Sequence, residues 1–307
     1  MITEEQRRER LNYLGSSDVA AILGMSRYAT PISVWAEKTG TLPPEDISSK
    51  LQIKVGNKME AVVAELFMEE TGKTVHRVNE TIYHKEHPFI ACNLDRRVIG
   101  ERAILEIKTA SAYRLKEFDQ EELPAETMVQ VYHQLMVTGW PKAYLCILVG
   151  NTDLIIREIP ADPQVQADLL KKEVSFWTDF VAPRVMPTMV TRYDAEVIGS
   201  LFPTADEVKE IALGDEINKQ IEFLEGLKRD CRHLEGLIDK TENEIKIAMG
   251  DAAIGSTGLY TVWWKNSQTT RLDMNRFKSE APNLYAQYCV SKPGRRFAYK
   301  KIKNNGE

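Results

Sequence analysis

Asp95 in Asn93-Leu94-Asp95 and the pair Glu106-Ile107-Lys108 are separated by ten residues. Glu106 and Lys108 stand two apart in AILEIKTA, a run whose β-branched and apolar content predicts a strand, so their side chains leave the same face. A turn at Ile99-Gly100 would fold the preceding strand back antiparallel and set Asp95 beside Glu106. Asp95, Glu106 and the carbonyl of Ile107 then make a compact all-oxygen site for a hard cation such as Mg²⁺, for which Mn²⁺ can substitute. Lys108 would be an ammonium beside two carboxylates, able to orient or help deprotonate a water and to stabilise charge developing on phosphorus. Phosphodiester hydrolysis needs these parts. Glu-x-Lys is also a common solvated strand face. Here Ile104, Leu105, Ile107, Thr109 and Ala110 are apolar or small, and a Glu and a Lys on such a strand need partners or a function.

Two helices have to bring further groups to this strand. Residues 54–70 carry Val55, Met59, Val62, Val63, Leu66 and Phe67 at three- and four-residue steps, with Glu60 on the polar side. Residues 125–138 are apolar except for a few positions, among them Gln130 and Gln134, one turn apart on the same face. That pair could orient a water or a phosphate, or could be a polar stripe facing solvent. Upstream, SDVAAIL predicts a helix capped by Ser17 or Asp18 and ended by Gly24, and Pro31 opens another that Gly40 ends. Residues 74–84, 89–99, 103–110, 142–150 and 153–160 read as strands, the last two a hairpin through Gly150-Asn151, and 163–182 reads as a helix. The fold expected is α/β, a central mixed sheet flanked by helices, over residues 1–200.

From 201 to 307 the character changes. Ile217, Leu224, Cys231, Ile238 and Ile245 lie seven apart, with Leu227, Leu234 and Ala248 on the neighbouring line and Gln220 and Thr241 interrupting it. This predicts a long helical arm with a narrow apolar seam, or an amphipathic helix packed on its own domain. LYTVWWK alternates as a strand, LDMNRFKSEAPNLYAQYC reads as a helix, and RRFAYKKIK reads as a closing strand. Together they make a helical arm and a small α+β module suited to assembly or partner binding.

The sequence has 307 residues, 43% of them hydrophobic, and a formal net charge of -5. The negative balance leans against a DNA partner, yet the cations are concentrated: Lys292, Arg295, Arg296, Lys300, Lys301 and Lys303 fall in one stretch without an acid. No long apolar run predicts a membrane span, and the charged N-terminus has no apolar h-region of a secretory signal, so the cytosol is the expected compartment. Cys92, Cys146, Cys231 and Cys289 form no C-x-x-C pair and read as reduced. No P-loop or His-Glu-x-x-His motif is present, and His76, His84 and His87 read as surface residues.

The succession YLGSSDVAAILGMSRYATPISVWAEKTG, VGNKMEAVVAELF, NLDRRV, LEIKT and VQVYHQLMVTG resembles the YqaJ-type viral recombinase family, the phage alkaline (lambda-type) exonucleases of the PD-(D/E)xK nuclease superfamily, over residues 8–185. The resemblance implies a PD-(D/E)xK restriction-endonuclease-like core and a catalytic set of Glu60, Asp95, Glu106, Lys108 and Gln130, with Asp95, Glu106, Ile107 and Glu60 around the metal. Position 132 is Tyr where the family helix often has a second Gln. Arg10 and Ser17 fall where the family holds a terminal 5′-phosphate. The activity implied is a Mg-dependent 5′-to-3′ exonuclease on linear double-stranded DNA. It would leave 3′ single-stranded tails for a single-strand annealing protein, act as a homo-oligomer such as a ring trimer, and work in a bacterial host cell from a phage or prophage gene. A structure-specific endonuclease on the same core and a non-catalytic DNA-binding scaffold are the alternatives. The complete Asp95, Glu106 and Lys108 set argues against the scaffold.

Overall fold

The computed structural model describes residues 9–44, 48–118, 123–291 and 294–301. The chain forms two units, 1–203 and 204–307. The first opens with helices α1 (Ser16–Ile22), α2 (Pro31–Lys38) and α3 (Leu51–Thr71), then strands β1 (Val75–Arg77), β2 (Ile82–Tyr83), β3 (Ala91–Cys92), β4 (Arg96–Val98) and β5 (Ala103–Ala110). Helix α4 (Ala125–Thr138), the hairpin β6 (Lys142–Val149) and β7 (Asp153–Pro160), helix α5 (Pro163–Phe176) and helix α6 (Ala195–Leu201) complete it.

Local chemistry sets the helix ends. Thr30 accepts from the Ser33 N–H and Pro31 takes the first helical position, where its missing N–H costs nothing. Gly72 and Gly139 end α3 and α4 in the left-handed conformation. The α1 cap differs from expectation: Gly15 is the cap, and Asp18 reaches back to its N–H at 2.9 Å. The Trp177–Val181 segment continues α5 as a π turn.

The sheet runs β1-β4-β5-β6-β7, with β5 and β6 parallel and every other neighbouring pair antiparallel. Helix α4 supplies the crossover between the parallel pair, as this connection requires. Side chains of β5 alternate between two cores. Ile104 packs with Val131 and Leu135 of α4, while Leu105 and Ile107 pack with Val63 and Phe67 of α3. So α4 covers one face and α3 the other, and Glu106 and Lys108 share the α4 face. Helices α1 and α4 meet through Val19, Ala20 and Val129.

The segments expected as single strands over 74–84 and 89–99 are each broken. Val75–Arg77 pairs with β4, while Ile82–Tyr83 pairs with β3 in a separate two-stranded sheet. The second break falls at 93–95, where the chain leaves the ladder and the Asp95 side chain, rather than a strand backbone, takes the Ile107 N–H.

The second unit holds α7 (Asp215–Met249), the hairpin β8 (Ile254–Ser256) and β9 (Thr261–Trp263), and helices α8 (Met274–Glu280) and α9 (Pro282–Tyr288). The helix expected over 272–289 is two, because Pro282 cannot continue the first. Of the closing strand expected over 295–303, residues 295–301 have no ladder partner among the described residues, and 302–303 lie outside them, as does Lys292.

One interior pair ties the first unit together. His133 of α4 and Glu173 of α5 are fully buried. The His133 Nδ1 lies 2.9 Å from Glu173 Oε1 and its Nε2 lies 3.0 Å from the Ala91 carbonyl. Both ring nitrogens face acceptors, so both carry protons and His133 is an imidazolium. Burial alone would lower its pKa, but Glu173 and the Ala91 carbonyl outweigh it and hold the group above the ordinary 6.5. The stability from this pair is therefore complete below pH 6.5 and is lost as pH rises through the raised folded value. Urea unfolding across an alkaline pH series should show this decline in the wild type and lack it in a His133→Leu, Glu173→Met double variant. Parallel curves for the two proteins would refute the protonated pair.

Candidate active site

Glu106 lies at the middle of the sheet, 3% exposed. Gln130 Nε2 donates to its Oε1 and Gln134 Nε2 to its Oε2, both at 2.7 Å. Lys108 Nζ lies 2.7 Å from Oε1 and also donates to Gln130 Oε1 at 2.8 Å. The two glutamines, four apart on α4, thus face inward onto one carboxylate rather than lining a solvated stripe. Burial pulls the Lys108 pKa down, but Glu106 in contact and Asp95 nearby outweigh it and raise the group, so Lys108 stays an ammonium.

Asp95 sits across from Glu106 because β4 and β5 pair with Arg96 opposite Leu105. Its Oδ2 accepts the Ile107 N–H at 2.9 Å. On a strand the N–H and C=O of one residue point to the same edge, so the Ile107 carbonyl is directed past the end of β4, beside Asp95. Burial first, then the Glu106 charge, pushes the Asp95 carboxyl from 3.8 up to about 7, with Glu60 adding to the rise. Glu60 is on α3, which covers the face of the sheet opposite Glu106. Arg96, on the α3 face of β4, holds Glu60 in an ion pair and also donates to the Asp95 carbonyl at 2.6 Å.

A second cluster lies at the start of α1. Arg10 donates to the Ser17 hydroxyl and lies 3.2 Å from Asp18 Oδ1. Lys38, its side chain fully buried, reaches Asp18 Oδ2 at 2.8 Å and the Arg10 carbonyl at 2.8 Å. Burial pushes the Asp18 carboxyl up, yet Lys38 and Arg10 overcome this and hold it well below the usual carboxylate range. Asp18 thereby fixes both cations, and Arg10 remains 30% exposed at its side chain.

The structure brings Asp95, Glu106, Ile107, Lys108 and Gln130 together, and separately Arg10 and Ser17. Sequence reasoning did not find Arg96 or Lys38. Arg96 directly follows Asp95, but its partner is 36 residues away. Lys38 reads as an ordinary cation in the last turn of a helix. Among the described residues no three His, Cys, Asp or Glu side chains converge as a metal cage, and His84 and His87 stack on one another instead.

Over 305 residues, 98% of this chain and 95% of the relative, the sequence is 33% identical to the uncharacterized protein YqaJ of Bacillus subtilis (strain 168). The chain belongs to the YqaJ family. Residues 5–141 match the YqaJ-like viral recombinase domain, a stretch that holds both clusters of this YqaJ-family chain. Its fold is similar to that of LHK-Exo, an alkaline exonuclease from Laribacter hongkongensis. A crystal structure of LHK-Exo with dAMP superposes with a TM-score of 0.52 at 18% identity, covering 60% of this chain and 94% of LHK-Exo. Another LHK-Exo structure gives 0.50 at 16% identity, with the same coverage. The mixed sheet between helical layers is the PD-(D/E)xK-like fold.

The raised Asp95 carboxyl has a consequence for stability. A carboxyl raised on folding stabilises fully below its unfolded value of 3.8, and that contribution is lost as pH rises to about 7. In metal-free protein at about pH 8, Asp95→Asn should therefore melt at a higher temperature than wild type. The gain should shrink as pH falls from about 7 towards 3.8. A lower melting temperature for Asp95→Asn at the alkaline end would show that Asp95 is not under electrostatic strain.

Proposed function

We propose that this chain is a metal-dependent deoxyribonuclease that digests one strand of linear double-stranded DNA from the 5′ end and leaves 3′ single-stranded tails for recombination by strand annealing. The observation that carries this reading is the buried Glu106, faced by Asp95 and Lys108 and aligned by Gln130 and Gln134. Membership of the YqaJ-like viral recombinase family and the fold shared with an alkaline exonuclease support it.

The donor set fits a divalent cation. Two carboxylates and a main-chain carbonyl are hard oxygen ligands, and Mg²⁺ binds through few protein groups and keeps several waters. Burial first, and then the neighbouring Glu106, raises the Asp95 carboxyl to about 7, and a bound cation would favour its ionised form. Glu106 has about four lone-pair positions, three of them taken here by Gln130, Gln134 and Lys108. Asp95, Glu106 and the Ile107 carbonyl would hold the ion, and Glu60 would act from beyond Arg96. When bound, Mg²⁺ supplies charge neutralisation at the phosphate and a lower pKa for water.

The chain's own groups do the rest. Gln130 and Gln134 hold Glu106 in a single orientation, and the Ile107 N–H does the same for Asp95. Lys108 orients the water and meets the charge developing on the phosphate oxygens. Attack of the water oxygen on phosphorus breaks the P–O3′ bond, the water proton passes to the site's carboxylates or solvent, and the 3′ oxygen leaves protonated. The released unit is a 5′-mononucleotide, and the shortened strand again ends in a 5′-phosphate. Arg10 and Ser17 would bind that phosphate, Arg10 through charge-assisted hydrogen bonds, so each cut regenerates the end they recognise. A single-strand annealing protein is the expected partner for the tail.

Three results are expected. End-labelled linear duplex should be degraded with Mg²⁺ or Mn²⁺ while closed-circular DNA survives. Cutting of the circle would indicate an endonuclease, and no cutting of either would indicate a binding scaffold. Asp95→Ala, Glu106→Ala and Lys108→Ala should each lower cleavage by about a thousand-fold or more while DNA binding persists, and excess EDTA should stop the wild type. A 5′-phosphorylated end should be digested faster than a 5′-hydroxyl end, a preference that Arg10→Ala removes. Equal rates on both ends in the wild type would discard the Arg10 and Ser17 assignment.

A further inference from the structure

Helix α7 is 35 residues long and none of them is buried. Its seam is open: Leu227 is 47% exposed, Leu234 57%, Ile238 58% and Ile245 45%. Tyr299 rests on Lys228 at the flank, its hydroxyl 3.1 Å from the ammonium, and leaves these four exposed. Most helical stability in proteins comes from packing an apolar face, so an open stripe of this length is stabilised by a partner that covers it. Gly226 and Gly236, which weaken a lone helix, sit away from the a and d lines when Ile217 is taken as a.

The residues beside the seam say which partner. With Ile217, Leu224, Cys231, Ile238 and Ile245 as a, the d line is Gln220, Leu227, Leu234, Thr241 and Ala248. A second copy laid antiparallel, with the two-fold axis between Arg232 and His233, sets every a against a d of its mate. Ile217 then meets the mate's Ala248, and Ile238 meets the mate's Leu227. In this register Lys228 falls opposite the mate's Glu235, twice by symmetry, and no like charges oppose. A parallel in-register pair would instead set Asp230 against Glu235, again twice, and like charges across a seam repel.

We propose that α7 is a self-association helix, which pairs with α7 of a second copy of this chain as an antiparallel coiled coil in that register. The paired helices would form a seam about 50 Å long, the length of 35 helical residues. This inference stands independently of the chemistry proposed for the first unit.

Sedimentation equilibrium of the full chain tests it. The wild type should show a reversible pairing of copies. Leu234→Asp with Ile238→Asp should abolish it while the cooperative thermal unfolding of the first unit is kept, which shows that the variant folds. Glu235→Lys decides the register. It turns two attractions into two repulsions in the antiparallel pair and should weaken association roughly ten-fold, whereas in the parallel pair it would strengthen it. In a Cys231→Ser, Cys289→Ser background, mild oxidation of Ile217→Cys with Ala248→Cys should link position 217 of one copy to 248 of the other. A wild type that stays monomeric at high concentration, association indifferent to the seam variant, or association strengthened by Glu235→Lys would each overturn the proposal.

Discussion

A carboxyl group with 3% exposure at the centre of a sheet is tolerated only if its surroundings replace the water it has lost. Glu106 meets that condition with one ammonium and two amide donors, and much of the first unit is arranged to deliver them. The β5 alternation puts Lys108 on its face. The four-residue spacing of Gln130 and Gln134 on α4 aims both amides at its two oxygens. Because β4 ends at Arg96, the edge of β5 at Ile107 is left for Asp95 rather than for another strand. The result is a pair of carboxyl groups held in fixed orientations side by side in the interior.

The same logic explains which parts of the molecule could be read from the sequence. Periodicity follows from local geometry, so the helix over 125–138, the hairpin over 142–160 and the shared face of Glu106 and Lys108 were all legible. The two broken strands were not, because their breaks depend on non-local contacts: the first segment divides its pairing between β4 and β3, and in the second an aspartate side chain takes a main-chain donor twelve residues away. Arg96 with Glu60, and Lys38 with Asp18, are likewise pairings between separate elements. For Gln130 and Gln134 the residues were evident, but their direction depended on how α4 docks.

Charge in the second unit follows a different rule. The cations of 295–301 were expected in a closing strand over 295–303, and strand formation needs a ladder partner that 295–301 do not find among the described residues. In α7 the acids flank an apolar seam, a distribution that disfavours contact with a polyanion. The overall net charge of -5 is therefore a poor guide to a polyanionic partner: it averages the buried acids of the sheet site with the acids that flank the α7 seam.

The His133 and Glu173 pair, fully buried between α4, α5 and the Ala91 carbonyl, also constrains how this sequence can change over generations. Two apolar residues of similar volume in its place are often neutral for stability. Reaching them one substitution at a time passes through an intermediate with a lone charge in the core, at a cost of about 3–5 kcal/mol in a fold whose whole margin is about 5–15 kcal/mol. Each partner thus keeps the other from drifting. A valley in sequence space thus surrounds the pair, and where a descendant has lost it, both positions should have changed together.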